Sequence, residues 1–396
     1  MKYKILSICL CIVLLGSWSC FESRDLAEER AYRAKHAQSD QKILVGAVAP
    51  WQQKHSYRKG LELARQEINK QGVLGREIKL IWKDDNASLS KSRRIAQNLS
   101  ENPEIVSVIG HYSSGRTLPV SLMYQHYGVL LITGKAASTK ITDREGMDLV
   151  FQNVPNTRQA ARQYADFCQN RYYRRMIIFN VNTSFGKNMA NTFQKRCNRM
   201  GIDILDHRSF DPSAGSVQIK DRIKRWKEIY KFDALFFSGR PPATSKFIKQ
   251  CRKMGLDIPI VVGGALDPSL GGNYIEGVLI ADYFHPDEPR KKVQDFVRDF
   301  HKHYGKTPDS NAAQGYLTLN ILVRAMRQAN TTVPSRVADT LDNMDKYNGV
   351  TGKISFGKQG QQEGDKLVME KVQNQKFEYL KTINSSVNNN GTSQFR

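Results

Sequence analysis

From residue 42 onward, short apolar runs alternate with stretches whose apolar residues recur every three to four positions. Residues 43–49 form one continuous apolar run, the pattern of a strand buried on both faces. Residues 57–71 follow with Leu61, Ala64 and Ile68 at helical spacing and Gly72 in place to end the helix. By the same reasoning strands are predicted at 77–83, 105–109 and 129–133, and helices at 88–99 and 117–126. The alternation resumes with helices at 158–170, 187–200, 217–230 and 244–254 and strands at 176–181, 203–209, 234–237, 258–262 and 278–281. Helices at 290–304, 311–330 and 334–342 come next. Runs at 352–356, 366–372 and 377–381, separated by Gly, Gln and Asn, predict antiparallel strands. The order predicts an α/β fold with mostly parallel sheets. The strands are too many for one small sheet, so two doubly wound lobes are expected, with ligands at strand C-terminal ends or between the lobes.

The N-terminus reads differently. Lys2 and Lys4 precede an apolar run over 5–15, then Gly16, Ser17, Ser19 and Cys20. This predicts a signal peptide over 1–20 and export to the periplasm or cell envelope. The run is too short to span a bilayer, and no later run is long enough. Cys20 is a candidate lipidation site and membrane tether. Ser17 and Trp18 are unusual before such a cysteine, and ordinary cleavage nearby is the alternative. Residues 21–41 read as a polar linker, helical or disordered, and 382–396 as a polar disordered tail.

Cys9, Cys11 and Cys20 lie in the leader, leaving Cys168, Cys197 and Cys251, which permit one disulfide and one free thiol. No Cys/His spacing suggests a metal site, and no cofactor is expected. The net charge of +22 favours acidic partners. The basic residues are scattered as doublets such as Arg93-Arg94, Arg174-Arg175 and Lys291-Lys292, not clustered, which argues against a nucleic-acid footprint.

Several segments in order carry a resemblance: 43–50 (ILVGAVAP), 60–69 (GLELARQEIN), 75–80 leading to Asp84-Asp85, 108–111 (VIGH), 113–115 (SSG), 151–155 (FQNVP), 184–186 (SFG), 254–256 (MGL), 276–278 (EGV) and 349–356 (GVTGKISF). Together they resemble the type I periplasmic binding proteins, specifically the branched-chain (Leu/Ile/Val) amino acid binding components of ABC transporters. The resemblance covers 42–381. It implies two lobes joined by a three-segment hinge, 42–154 plus 284–346 and 155–281 plus 347–381. It also implies capture of a small molecule by hinge closure and delivery to an ABC transporter permease.

The resemblance places a ligand carboxylate at Ser114, with Ser113 adjacent; without it, a loop serine capping a helix is an equal reading. The loop after the fourth strand would offer a carbonyl near Ala136. Ala137 falls where the family has a threonine, and Ser138 is a candidate substitute. In lobe two a tyrosine becomes Phe185, an aromatic becomes Arg240 or Pro241, and the acid that pairs with the ligand ammonium becomes Ala265, with Asp267 two positions on. Trp51 forms either a cleft wall or lobe packing. The carboxylate anchor is kept and the ammonium partners are largely lost, while Arg116, Lys135 and Arg240 add positive charge. An amino-acid-like ligand or a small organic anion is therefore expected, unless these basics face solvent. A disulfide common in the family would fall at Ala87 and Ser113; its absence predicts a mobile loop there.

No G-x-S-x-G, Walker, G-x-G-x-x-G or H-E-x-x-H pattern is present, and no pattern places an acid behind His111. Catalysis is not expected. The competing function is a ligand sensor or envelope-associated binding protein that has lost transport.

Overall fold

The computed structural model describes residues 25–211, 217–357, 359–364 and 366–384. The signal peptide, Cys20 and most of the 382–396 tail lie outside the described residues. The chain forms two compact units, one running to Val154 with Arg298–Gly364, the other Pro155–Val297 with Asp365 onward. The first crossing lies between Val154 and Pro155. The later boundaries sit further along the chain than 284 and 347, so 347–364 packs with the first unit rather than the second.

The first unit begins with helix α1 (25–36), where a linker was expected. Leu26, Ala27, Arg30, Ala31 and Ala34 form its inward face. Arg30 is fully buried. Its Nε donates to Ile105 O at 2.7 Å and its Nη2 to Ser100 O at 2.6 Å and Asn102 O at 2.9 Å, while Nη1 donates to Tyr127 O. The Ser100, Asn102 and Tyr127 carbonyls lie at or just past the ends of two later helices, where a cation is favourable and the last C=O groups lack helical partners, and Ile105 O opens the strand that follows the first of them. The linker expectation is corrected: α1 is docked.

The rest of this unit is β1 (Ile43–Ala49), α2 (His55–Asn69), β2 (Ile78–Asp84), α3 (Leu89–Ser100), β3 (Ile105–Ile109), α4 (Ser114–His126), β4 (Leu130–Thr133) and β5 (Val150–Gln152). The five strands form one parallel sheet in the order β2-β1-β3-β4-β5. One face is covered by α3 and α4 around Val108, Val120 and Leu131. A later helix, residues 310–329, packs on α2 through two glycines. A Cβ at Gly60 would meet Ala312 O at 1.9 Å, and one at Gly315 would meet Tyr57 O at 2.3 Å.

The second unit contains α5 (Thr157–Asn170), β6 (Arg175–Val181), α6 (Ser184–Arg199), β7 (Asp203–Phe210), α7 (Val217–Ile229), β8 (Ala234–Gly239), α8 (Ala243–Lys253), β9 (Ile260–Gly264) and β10 (Leu279–Asp282). Helix α9 (Lys291–Tyr304) spans the boundary, and α10 (Ser310–Ala329), α11 (Pro334–Asn343), β11 (Tyr347–Gly349), β12 (Gly352–Phe356) and β13 (Gln362–Gly364) return to the first unit. The last strands, β14 (Lys366–Gln373) and β15 (Lys376–Asn384), complete a seven-stranded sheet in the order β15-β14-β10-β9-β8-β6-β7. Its last two strands run antiparallel. Cores lie on both faces, one around Phe193 and Phe236, the other around Phe179, Trp226 and Phe247. Cys168, Cys197 and Cys251 are all free and buried, so the permitted disulfide is not formed. Burial raises each thiol above its ordinary range, that of Cys197 to about 12.

Candidate functional site

In the first unit, the loops that leave β2, β3 and β4 meet at the C-terminal edge of the parallel sheet. Parallel pairing of β1 with both β2 and β3 brings those loops side by side. Asp85 follows β2 and is fully buried. Its Oδ1 accepts from the Ala87 amide at 3.0 Å. Its Oδ2 accepts from Ser92 Oγ at 3.1 Å and from Arg116 Nε at 3.0 Å, and lies 3.3 Å from His111 Nδ1. Burial alone would raise the Asp85 carboxyl. The His111 bond, the Arg116 charge and the Ala87 amide outweigh it and hold the carboxyl below its ordinary range.

His111 is also fully buried, with Nε2 3.2 Å from the Tyr124 hydroxyl. Burial lowers its pKa below 6.5, so the ring is neutral at pH 7. Nδ1–H then donates to Asp85 and Nε2 accepts from Tyr124 O–H. An acid does stand behind His111, although no sequence pattern places it there. The far nitrogen meets a buried tyrosine and not a serine, so no nucleophile is activated. The same bonds correct the mobile-loop expectation: Asp85 ties together the two loops that the missing disulfide would join.

Helix α4 starts at this knot. Ser113 is its N-cap, with extended backbone and no side-chain cap bond. Ser88, Asn156, Thr183 and Asp309 close α3, α5, α6 and α10 with their side chains, whereas α2, α8 and α11, like α4, have no such cap. The α4 amides of Arg116 and Thr117 bond back to Ser113 O, which leaves the end of the helix presenting Ser114 and Gly115. Ser114 Oγ accepts from the Ser138 amide at 3.1 Å, so its own O–H remains a donor. Beside it, the Ala136 carbonyl accepts from Gln152 Nε2 at 2.5 Å, and Ser138 O from the same nitrogen at 3.2 Å. Ser138 Oγ caps the short turn that follows.

The structure therefore brings Ser113, Ser114, Ala136 and Ser138 together. Arg116 is bonded through Nε to Asp85. Trp51 is 4% exposed, donates through Nε1 to Lys83 O at 2.9 Å, and packs edge-on against Trp82, which matches the lobe-packing reading. Gln152 and Asp85 escaped the sequence reading.

In the second unit, Phe185 and Arg240 meet: the guanidinium lies 4.5 Å from the ring centroid. Both line a cavity of about 740 Å³ whose other walls include Val181, Phe210 and Ile219, with Lys246 and Lys249 at its edge. Asp267 does not line it. Its Oδ1 accepts from the amide and hydroxyl of Ser269, capping a short turn. Among the described residues no cluster of His, Cys, Asp and Glu fits a metal ion, and no helix is long and apolar enough to cross a membrane.

A family model described as periplasmic binding protein matches residues 44–376. The Leu/Ile/Val-binding protein homolog 2 of Brucella abortus is 25% identical over 330 residues, covering 80% of this chain and 87% of that one. An ABC transporter substrate-binding protein from Desulfitobacterium hafniense, solved in complex with Leu, superposes with a TM-score of 0.78 at 31% identity, covering 86% of this chain and all of that one. A solute-binding protein of an ABC transporter from R. palustris, solved with benzoate, shares the fold at 17% identity with a TM-score of 0.71, covering 88% of this chain and 98% of that one.

Proposed function

The chain belongs to the periplasmic binding protein family, a family that binds solutes and catalyses no reaction, and from that premise we propose that the N-terminal end of α4 receives the anionic group of a small ligand. The observation that carries this reading is the open start of α4. It combines a partial positive charge, amides without a capping side chain and the Ser114 hydroxyl. The ligand is amino-acid-like or a small organic anion, in keeping with the leucine and benzoate found in the two solved relatives. Ser113, Ala136 and Ser138 complete this site in the first unit. Phe185 and Arg240 supply a ring face and a cation in the second unit. Delivery to the permease of an ABC importer follows from the family, and the leader over 1–20 supports export with a lipid anchor at Cys20.

Calorimetric titration of the purified protein with amino acids and organic anions tests the reading. The Ser114→Ala variant is expected to bind the best ligand about tenfold or more weakly, the loss of a charge-assisted hydrogen bond, with unchanged unfolding in the absence of ligand. Equal affinity in that variant would remove Ser114 from the site. Partition of full-length protein and Cys20→Ala between membrane and soluble fractions tests the anchor, with only the variant expected to be released.

A further inference from the structure

We propose that the second unit carries a further binding site, along helix α8, for an elongated amphiphile with an anionic head, of the kind a long-chain carboxylate represents. The site is in the other unit from α4 and does not rest on the reading of that helix start.

The cavity that Phe185 and Arg240 line continues beyond them. Ala243, the first residue of α8, and Lys253, its last, both line it. The lining therefore runs the length of the helix, roughly 15 Å at 1.5 Å per residue. The floor is apolar, built from Val181 and Phe210 at the ends of β6 and β7 and from Ile219 of α7. The volume of about 740 Å³ is that of a small-molecule site, which takes roughly 300–1,000 Å³. Length and an apolar floor together suit a chain better than a compact group.

The rim is basic. Lys246, Lys249 and Lys253 recur at three- and four-residue spacing on one face of α8, and each lines the cavity. Arg240 stands at the strand end of the same cavity. Among the described residues that line it, none is a carboxylate. The cations lie against rings instead. Arg240 covers Phe185, and the ammonium groups of Lys249 and Lys253 sit 5.4 and 5.9 Å from the centroid of one ring, that of Tyr274. A ring face attracts a cation without neutralising it. Arg252, by contrast, reaches a carboxylate, that of Asp257 at 3.7 Å. An anionic head on the lysines would neutralise like charges that the protein holds together and accept charge-assisted hydrogen bonds from them. Its chain would cover the apolar floor, the term that drives such binding. A cationic amphiphile meets repulsion along the whole rim, and a short anion leaves the floor uncovered.

The test is calorimetric titration of the purified protein, below micelle formation, with decanoate, decanol and decyltrimethylammonium, which share a chain and differ in the head, and with acetate, which has the head alone. Decanoate is expected to bind one molecule per chain, at least about tenfold more tightly than each of the other three. No binding of decanoate, or equal binding of decanol or decyltrimethylammonium, overturns the proposal and leaves the α4 reading as it stands. Two variants place the site. The double change Lys249→Glu with Lys253→Glu reverses the rim at exposed positions, and Gln250→Trp fills the cavity from α8. Each is expected to weaken decanoate about tenfold or more. Unchanged affinity in either variant, melting as cooperatively as the natural protein, overturns the placement along α8. Ser114→Ala is expected to leave decanoate affinity unchanged. A parallel loss there would put decanoate at α4 and overturn the proposal.

Discussion

Arg116 Nε lies 3.0 Å from Asp85 Oδ2, and this bond joins the loop after β2 to the first turn of α4. Asp85 is fully buried and Arg116 nearly so. The pair is thus a tether between two loops more than a surface ion pair, and removing one partner leaves the other charge uncompensated.

Asp85→Ala is therefore expected to destabilise the protein by roughly 3–5 kcal/mol, as for other broken buried pairs. The denaturant midpoint reports it. Ligand affinity should fall as well, because the α4 start loses its fixed position. A variant with natural stability would show that water replaces the carboxylate.

The same knot sets an acid response. His111 is held below 6.5, so between that pH and its lowered folded value the unfolded chain takes up a proton that the native ring refuses. Stability contributed by the neutral ring is present above about pH 6.5 and is lost as pH falls. Asp85, depressed below 3.8, adds a further loss at lower pH as its native carboxylate is forced to accept a proton. His111→Gln should flatten the stability profile as pH falls below about 6.5, measured by urea unfolding at a series of pH values. A profile parallel to that of the natural protein would exclude His111 as the sensor.

The strand–helix alternation is legible in the sequence because buried parallel strands are written as unbroken apolar runs; the run at 43–49 is β1 itself. β5 is not legible, since Val150–Gln152 has three residues and no period, and pairing with β4 makes it a strand. The docking of helix α1, itself one of the two readings of 21–41, is hidden for another reason. Its anchor is a buried arginine, a residue type that composition assigns to the surface. The position of Ser114 after the third strand is legible, and its role as an anion site is what the resemblance implies. Gln152 and Asp85 are not, because the carbonyls that Gln152 bonds and the His111 and Arg116 that Asp85 bonds are 14 to 31 residues away and only the sheet register brings them together.

Arg30→Ala is expected to release α1. The guanidinium donates to four carbonyls, and burial lowers its pKa to about 10 without discharging it at neutral pH. Loss of these charge-assisted bonds should lower stability by roughly 2–4 kcal/mol. It should also open residues 25–36 to limited proteolysis. Arg30→Lys keeps the charge without the planar fork and should fall between the two. Resistance of the alanine variant to cleavage would mean that the apolar contacts of α1 suffice.

Glu370 gives the second unit the opposite pH dependence. It is 6% exposed on β14, across from Ile280. Burial, with the nearby Asp282 charge, raises its carboxyl to about 9. The native state thus keeps a proton that the unfolded chain releases above 4.5. For a carboxyl raised on folding, stability is complete below the unfolded value and declines as pH rises toward the folded one. At pH 7 the penalty is on the order of 3 kcal/mol. Glu370→Gln keeps the shape and the neutral form, so it should match the natural protein near pH 4.5 and become progressively more stable by comparison up to about pH 8. Thermal melts of both proteins across that range measure the gap. A gap that stays constant with pH would show that Glu370 is ionised in the native state. Its burial would then be compensated by a partner rather than by a proton.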